Sequence, residues 1–344
     1  MNSKKAITLQ DIAKELNISK VSVSKALRDH PDISKITKQI VRETAQRMGY
    51  LPNTLARNLS AQESRTIGLV VPKIAHHFFA SAIESIYQTA FENNYEIIMT
   101  VSQENVDNEI IHIQTLLSMR VDGLLISVTE QTKDKTIFEI VKARGIPLVF
   151  FDRIIDGLGF STVTTDDEEG SHRAISEVIA AGYKKIAHLA GYDYTSIGHS
   201  RTMGFKKAMA EHNLEIPKNW FVEVGFSEDE GYKGFLKIFR SGILPEVIFT
   251  VTYPVALGVL LAAQETGISV PDDLQIISFG GSIYNRFVSP SITYVDQPSE
   301  EIGRKAVELL LDEIKNREMR EEKHIVIPTE LVLCDTCKQK TGKF

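Results

Sequence analysis

Near the start of the chain, apolar residues recur with helical spacing in two short segments. In the first, Ile12 and Leu16 lie four residues apart on one face of a helix that Thr8 can cap. Asn17 adopts positive φ more readily than most non-glycine residues, so the helix is expected to end there in a tight turn. Ser19 can cap the helix that follows. The pattern predicts two helices joined by a short turn.

The second segment and the one after it supply the rest of a small core. In the second helix Val23, Ala26 and Leu27 face inward together with Ile18. Ser34 can cap a third helix. The apolar positions of that helix are Ile36, Ile40, Val41, Ala45 and Met48. Residues 1–50 are therefore predicted to form a head of three helices.

The outward face of the second helix carries residues that no core requires. It presents Lys20, Val21, Ser24 and Lys25, with Ser19 and Ser22 at its N-terminal rim. Residues 1–60 contain 11 Lys+Arg against 5 Asp+Glu, a net +6, whereas the whole chain is −6, which leaves about −12 for the remainder. A basic head on an acidic body indicates a nucleic-acid partner, because phosphate contacts dominate such affinity. In a major groove, lysine can reach guanine, valine a thymine methyl and serine the phosphates. A solvated helical hairpin is the alternative that charge and spacing leave open.

From Thr66 onward the pattern changes to short apolar runs that alternate with helical stretches. Ile67 to Val71 and Gly123 to Val128 are such runs, and the series restarts at Lys184 to Gly191. Repeated strand and helix units indicate a parallel α/β fold with both sheet faces covered. The restart predicts two similar lobes, with a ligand expected beyond the carboxyl ends of the strands.

The sequence lacks the motifs of common α/β enzymes and metal proteins. No G-x-G-x-x-G follows a predicted strand, and there is neither a P-loop nor a G-x-S-x-G. The adjacent His76 and His77 point apart on regular structure, and the sequence does not supply the partners that a redox or zinc role of Cys334 and Cys337 would need. We therefore expect no cofactor and no metal. The apolar runs are shorter than the roughly 20 residues of a membrane span, and the N-terminus has no signal-peptide core, which favours the cytoplasm.

Three stretches of the head follow one known pattern. They are Thr8-Leu9-Gln10-Asp11-Ile12-Ala13, Ile18-Ser19 and Ser22-Val23-Ser24-Lys25-Ala26-Leu27. This pattern resembles the LacI/GalR family of bacterial transcriptional regulators, and the likeness continues through Met48 to Pro72 and along essentially the whole chain. The resemblance implies a helix-turn-helix head in residues 1–50 and a hinge in residues 51–65.

The resemblance also implies which residues contact DNA. They are Thr8, Ser19, Lys20, Val21, Ser22, Ser24, Lys25, Tyr50, Asn53, Ala56, Arg57 and Leu59. The hinge of the family forms a short helix on DNA and inserts a leucine into the minor groove, which costs unstacking energy but kinks the duplex against more protein. A simple polar linker is the alternative for this segment.

Two residues of the head depart from the family pattern. Asn17 stands where glycine is usual, and Lys25 stands where arginine is usual. Lysine lacks the planar fork with which arginine holds guanine, so we expect weaker discrimination of that base and a different preferred operator.

For the body, the resemblance implies a two-lobed periplasmic-binding-protein-like fold with parallel sheets. Residues 66–163 with 296–327 are expected to form the N-terminal lobe, and residues 164–295 with 328–340 the C-terminal lobe. By position, the effector cleft is lined by Phe78, Phe79, Ser127, Asp152, Arg153, Arg201, Phe226, Thr252, Tyr253 and Gly280. The alternative for the phenylalanines is a core position, and for Arg201 an internal salt bridge.

The cleft also departs from the family pattern. The family typically has Asn-Asp at Thr252-Tyr253 and an acidic residue at Gly280-Gly281. With those acids missing and Arg153 and Arg201 kept, we expect an anionic effector such as a sugar phosphate or sugar acid. A body that has lost small-molecule sensing is the alternative.

These inferences predict a DNA-binding transcriptional repressor that acts as a homodimer on a pseudo-palindromic operator and responds to a small-molecule effector. Two rival hypotheses are a solute-binding protein for transport and an α/β enzyme with Asp152 or His199 as general base. The missing signal peptide and the basic head oppose the first. No recognisable set of nucleophile, base and orienting group supports the second.

Overall fold

The computed structural model describes residues 7–50 and 63–338. The chain divides into two compact units, Met1–Ser64, called the head, and Arg65–Phe344, called the body. Asn53, Ala56, Arg57 and Leu59 of the predicted hinge lie outside the described residues. Head and body are therefore described one at a time.

Local side-chain chemistry sets the helix ends of the head. Its helices are α1 (Leu9–Glu15), α2 (Lys20–Leu27) and α3 (Lys35–Met48). Asn17 has φ 50°, the left-handed conformation that was predicted to end the first helix. The Ser19 hydroxyl accepts a hydrogen bond from the Ser22 N–H, and the Ser34 hydroxyl accepts one from the Thr37 N–H, so both serines cap as expected.

The core of the head differs from the prediction in its third helix. Val41, Thr44 and Ala45 are the buried residues of α3, and they pack with buried residues of α1 and α2. Ile36 and Ile40 were predicted to belong to this core, but they are 73% and 46% exposed. The reason is geometric, since at about 100° per residue Ile36 lies about 140° around the helix from Val41.

One parallel sheet organises the N-terminal lobe of the body. Its strands are β1 (Thr66–Val71), β2 (Glu96–Val101), β3 (Gly123–Ile126), β4 (Leu148–Phe151), β5 (Ser161–Thr165) and β11 (His324–Ile327). They lie in the order β11-β5-β4-β3-β1-β2. The helices of this lobe are α4 (His77–Glu92), α5 (Val106–Ser118), α6 (Thr136–Ala143) and α11 (Ser299–Lys315). Every residue of β4 is buried, as a strand covered on both faces requires.

A second sheet organises the C-terminal lobe. Its strands are β6 (Ile186–Ala190), β7 (Phe221–Glu223), β8 (Val247–Thr250), β9 (Gln275–Phe279), β10 (Thr293–Asp296) and β12 (Glu330–Val332). They lie in the order β12-β10-β9-β8-β6-β7, and β12 runs antiparallel to β10. The helices of this lobe are α7 (Asp167–Ala180), α8 (Ser196–Glu211), α9 (Glu228–Phe239) and α10 (Tyr253–Glu265).

The chain passes between the two sheets after β5, after β10 and after β11. The lobe boundary predicted at residue 163 falls inside β5, because this strand continues its parallel pairing with β11 as far as Thr165. The crossings bring the carboxyl ends of both sheets' strands towards one cleft. Within the described residues, no helix combines the length and the apolar character needed to cross a membrane.

Candidate functional site

The N-terminal half of α2 presents the face that the sequence predicted to read DNA. Lys20 is exposed, and Val21 is 64% exposed although it is apolar. The hydroxyls of Ser19 and Ser22 lie 2.9 Å apart at the start of the helix. The Arg28 Nη2 donates a hydrogen bond to the Ser24 hydroxyl at 2.9 Å.

Lys25, also on this face, is engaged within the head. Its Nζ lies 2.7 Å from the Asp32 Oδ2, and the hydrogen bond from this lysine lowers the pKa of the Asp32 carboxyl. Sequence reasoning named neither Asp32 nor Arg28. Asp32 is seven residues from Lys25 and Arg28 is four residues from Ser24, so the spacing in sequence could have suggested these contacts. The apolar pattern could not.

The other predicted contacts of the head have local roles as well. The Thr8 backbone N–H and hydroxyl both donate to the Asp11 carboxylate, at 2.9 Å and 2.7 Å. Tyr50 packs against the core of the head and is half-buried. Thr8 remains exposed at the start of α1.

In the body, the predicted cleft residues divide between two cavities. Phe78, Thr252, Tyr253 and Gly280 line the first cavity, which has a volume of about 850 Å³. Asp152 lines the second, of about 820 Å³. The remaining predicted residues, Phe79, Ser127, Arg153, Arg201 and Phe226, line neither and are buried.

Arg153 is a buried cation between aromatic rings of the two lobes. Its Nη1 donates to both oxygens of the Glu104 carboxylate, at 2.9 Å and 3.0 Å. Its guanidinium carbon lies 4.7 Å from the centre of the Phe226 ring and 5.9 Å from that of Phe79. Phe226 belongs to the C-terminal lobe, so this contact joins the lobes. The Arg153 Nε is buried with no hydrogen-bond partner among the described residues.

Arg201 is buried deeper still, at 1% exposed. Its Nε donates to the Asp167 Oδ1 and its Nη1 to the Val251 carbonyl, both at 2.7 Å, and its guanidinium carbon lies 3.9 Å from the Phe279 ring centre. Phe279 lines the first cavity and Asp167 the second, which places Arg201 between the two. The Arg201 Nη2 is buried without a partner among the described residues.

These pairs correct the charge argument made from sequence. Arg153 and Arg201 are not free positive charges, because Glu104 neutralises Arg153 and Asp167 neutralises Arg201. Arg201 therefore forms the internal salt bridge that was its alternative, and its role in an effector site stays a prediction. Sequence reasoning missed both carboxylates, which are 49 and 34 residues from their arginines.

Two further polar residues, Asp152 and His199, line the second cavity. Asp152 adopts φ 58° and accepts a long hydrogen bond, 3.5 Å, from the Ser127 hydroxyl. Burial raises the pKa of Asp152 to about 6. His199 also lines the second cavity, where its Nδ1 lies 3.0 Å from the Asp193 carboxylate. Asp152 and His199 therefore reach one cavity, although the His199 side chain is 55% exposed.

The departures from the family pattern have structural roles. The Thr252 hydroxyl donates to the Phe226 carbonyl at 3.3 Å, and the Tyr253 hydroxyl donates to the Asn285 side-chain oxygen at 3.0 Å. Gly280 has φ 77°, and a Cβ there would lie 2.8 Å from the Gln297 Oε1. A side chain at position 280 would therefore have to displace Gln297.

Glu109, which sequence reasoning also missed, anchors the loop after β3. Its carboxylate accepts hydrogen bonds from the Thr129 N–H and the Thr132 hydroxyl, both at 2.7 Å. Burial raises the pKa of Glu109 to about 7. Near the C-terminus the Cys334 and Cys337 thiols are free, and burial raises the pKa of Cys337 to about 11.

We predict that Arg201→Met destabilises the body by about 3–5 kcal/mol, because it leaves the Asp167 carboxylate buried without its cation. The double variant Arg201→Met with Asp167→Leu should recover much of this loss, since it removes both charges. Lys233→Met is the control, because Lys233 and Asp229 form an exposed pair. Urea unfolding measures the three variants. A single variant no less stable than the control would contradict the assigned pairing.

Comparison with known proteins agrees with these features. Residues 8–53 match the family model described as bacterial regulatory proteins, lacI family, and residues 175–337 match that of a periplasmic binding protein-like domain. Catabolite control protein A of Priestia megaterium is 32% identical over 305 residues, which cover 88% of this chain and 91% of that protein. The HTH-type transcriptional repressor PurR of Pasteurella multocida is 29% identical over 97% of this chain and 99% of that protein.

Among solved structures, the lac repressor dimer bound to operator and the anti-inducer ONPF superposes with a TM-score of 0.86, at 22% identity over 96% of this chain and 99% of that one. This likeness establishes the shared fold. The identity to catabolite control protein A extends over nearly the whole of both chains. The chain belongs to the LacI family of bacterial regulatory proteins, and it is a DNA-binding transcriptional regulator.

Proposed function

We propose that the protein is a repressor that binds a pseudo-palindromic operator as a homodimer, and that a small molecule in the body modulates its affinity for DNA. The exposed face of α2 carries this proposal. Lys20 and the apolar Val21 stand in solvent there, while the opposite face of the same helix closes the core of the head. An exposed face of this composition suits the base edges and phosphates of a major groove.

Each residue of this face has a distinct task in the proposal. Lys20 and Lys25 carry the positive charges that contact guanine or phosphate, and Val21 packs on a thymine methyl. Ser19 and Ser22 lie where the first turn of α2 would approach the DNA backbone. Two heads related by a two-fold axis add their binding energies, which a single small head needs for tight specific binding.

The test of DNA binding compares two lysines. Bound duplexes are first selected from a random pool with the purified protein, and the recovered operator is then titrated by fluorescence anisotropy. Lys20→Ala is expected to weaken operator binding at least tenfold, because about 1–3 kcal/mol is lost with a base or phosphate contact in each of the two heads. Lys14→Ala, which removes an exposed lysine of α1, should leave affinity nearly unchanged. Equal losses from the two variants would contradict the proposed reading face, the surface of α2 formed by Ser19, Lys20, Val21, Ser22, Ser24 and Lys25.

The N-terminal lobe offers a surface for the second copy. Tyr87 and Phe91 on α4 are 53% and 60% exposed and stack with ring centres 6.3 Å apart, and Met99 on β2 is 42% exposed. β2 is the last strand in the order of its sheet, so the patch lies at a sheet edge. Exposed apolar groups beside an edge strand favour pairing with another chain. The dimeric lac repressor, which shares the fold, supports a second copy as the occupant.

The dimer surface is tested by Phe91→Glu, which should shift the protein from dimer to monomer because it buries an unpaired charge in the interface. Ile243→Glu is the matched control, since Ile243 is also 60% exposed but lies in the C-terminal lobe away from α4 and β2. Sedimentation equilibrium measures the mass. A dimeric Phe91→Glu protein would rule out this surface.

The lining of the first cavity supports an uncharged, hydroxyl-rich effector such as a sugar. Its volume of about 850 Å³ lies within the usual range of small-molecule pockets. Its charged lining residues are Glu84, Asp296, Glu300, Glu301 and Arg304, so carboxylates outnumber cations and an anionic sugar derivative is less favoured. Its lining also includes aromatic and hydroxyl side chains, and the Gln297 Nε2 is buried without a partner among the described residues. Such a donor can serve a sugar hydroxyl.

An effector in the first cavity can change the angle between the two lobes. Phe78 and Gln297 belong to the N-terminal lobe and its crossing segment, whereas Thr252 and Gly280 belong to the C-terminal lobe. A ligand that touches both sides stabilises one interlobe angle over another. It shifts DNA affinity only by its difference in affinity for the two conformations.

Calorimetry with a panel of neutral sugars and their phosphates tests the effector class. Neutral sugars are expected to bind and their phosphates to bind more weakly. Gln297→Leu should weaken binding about tenfold or more through the lost hydrogen bond, whereas Gln264→Leu, on the exposed face of α10, should not. Binding of phosphates alone would overturn the uncharged class. No binding by any member would favour a body that has lost small-molecule sensing.

The rival functions make different demands. A transport solute-binding protein has no use for the exposed basic face of α2, and an enzyme would need Asp152 or His199 to act on a substrate in the second cavity. We infer that the protein is not an enzyme and acts in the cytoplasm, where its operator DNA lies. A turnover screen that finds a reaction lost in Asp152→Asn would overturn this reading.

A further inference from the structure

The ion pair between Lys25 and Asp32 lies on the proposed reading face itself. The Lys25 Nζ is 2.7 Å from the Asp32 Oδ2, and the two side chains are 36% and 58% exposed. Asp32 follows α2 in the turn that leads to α3. The Asp32 carboxylate of the head is therefore bound to the lysine ammonium that would contact DNA.

Asp32 also lies 3.3 Å from the Nδ1 of His30, in the same turn. The remaining ion pairs described in the head involve neither Asp32 nor the reading face. Lys38 and Arg42 of α3 pair with Asp29, and Arg47 pairs with Glu15 of α1. These pairs join helices of the head to one another or to the turn after α2. Among the described head residues, Asp32 is the carboxylate whose ion pair engages a predicted DNA contact.

A lysine can bind a DNA acceptor fully only if its ammonium turns away from a competing carboxylate, since phosphate and carboxylate repel each other. We propose that Asp32 is an intramolecular competitor for Lys25, so that it lowers operator affinity and determines how strongly Lys25 contributes to it. The inference rests on the proposed DNA-binding role of α2. It makes Asp32 an affinity-setting residue that does not itself contact DNA.

The exposure of the pair limits the size of the effect. Exposed ion pairs contribute modestly, so removing the competitor should tighten binding by about threefold for each head and about tenfold for a dimer. Removing any carboxylate near DNA also tightens binding through its charge alone. The experiment must separate competition from this general effect.

A double-mutant cycle makes the separation. Operator affinity is measured by fluorescence anisotropy for the full-length wild type, Asp32→Asn, Lys25→Ala and the double variant at physiological salt. Asp29→Asn is the matched control, because it removes the same charge from the same head but from a pair with Lys38 and Arg42. Asp32→Glu keeps the carboxylate and should keep nearly the wild-type affinity. Thermal unfolding of each variant checks that the head remains folded.

The expected result is that Asp32→Asn tightens binding about tenfold in the presence of Lys25, and by no more than Asp29→Asn in the Lys25→Ala background. An equal gain in both backgrounds, or no gain over Asp29→Asn, would overturn the competition. If the wild type binds operator and Asp32→Asn weakens it, Asp32 orients Lys25 and the inference is wrong. If the wild type binds no duplex, the proposed function fails and the inference with it.

Discussion

The buried guanidinium of Arg201 is the constraint on which the cleft of the body depends. A charge at 1% exposure is tolerated only with a partner, and Asp167 supplies it at 2.7 Å. Asp167 begins α7, Arg201 lies on α8, and the Val251 carbonyl that accepts from Arg201 follows β8. The pair therefore fixes two helices and a strand end at the point where the C-terminal lobe meets the cleft.

The same rule governs Arg153 on the other side of the cleft. Glu104 neutralises it, and the stacked Phe226 ties it to the opposite lobe. With both arginines committed to carboxylates, the first cavity offers a ligand aromatic, hydroxyl and amide groups together with carboxylates that outnumber its cations. This is why we propose an uncharged effector where the residue list alone suggested an anion. Each arginine also keeps one buried nitrogen without a partner among the described residues.

The parts of the structure that the sequence predicted are those determined by neighbouring residues. The caps at Ser19 and Ser34 and the positive φ of Asn17 depend on a few adjacent positions, and all three are present. Alternating apolar runs likewise predicted the parallel sheets. The third helix was placed correctly, but Ile36 and Ile40 were wrongly assigned to its buried face. The polar residue Thr44 occupies part of that face, so the apolar pattern alone did not identify it.

What could not be predicted is the pairing of charges that are distant in sequence. Glu104 and Asp167 meet their arginines only because the sheets bring strand ends together. Even the short-range pair of Lys25 and Asp32 depends on how the turn after α2 folds back. A charged residue can be assigned to a site from its position in a motif, but its net electrostatic effect requires knowledge of its partners.

We propose that α2 enters the major groove of duplex DNA, and lysine footprinting can detect this contact on the whole protein. The full-length protein is acetylated with a small reagent, with and without operator, and each lysine is quantified by mass spectrometry. Operator is expected to protect Lys20 and Lys25 and to leave Lys14 of α1 as reactive as in the free protein. Lys20 and Lys25 that stay fully reactive on a saturated operator would contradict it.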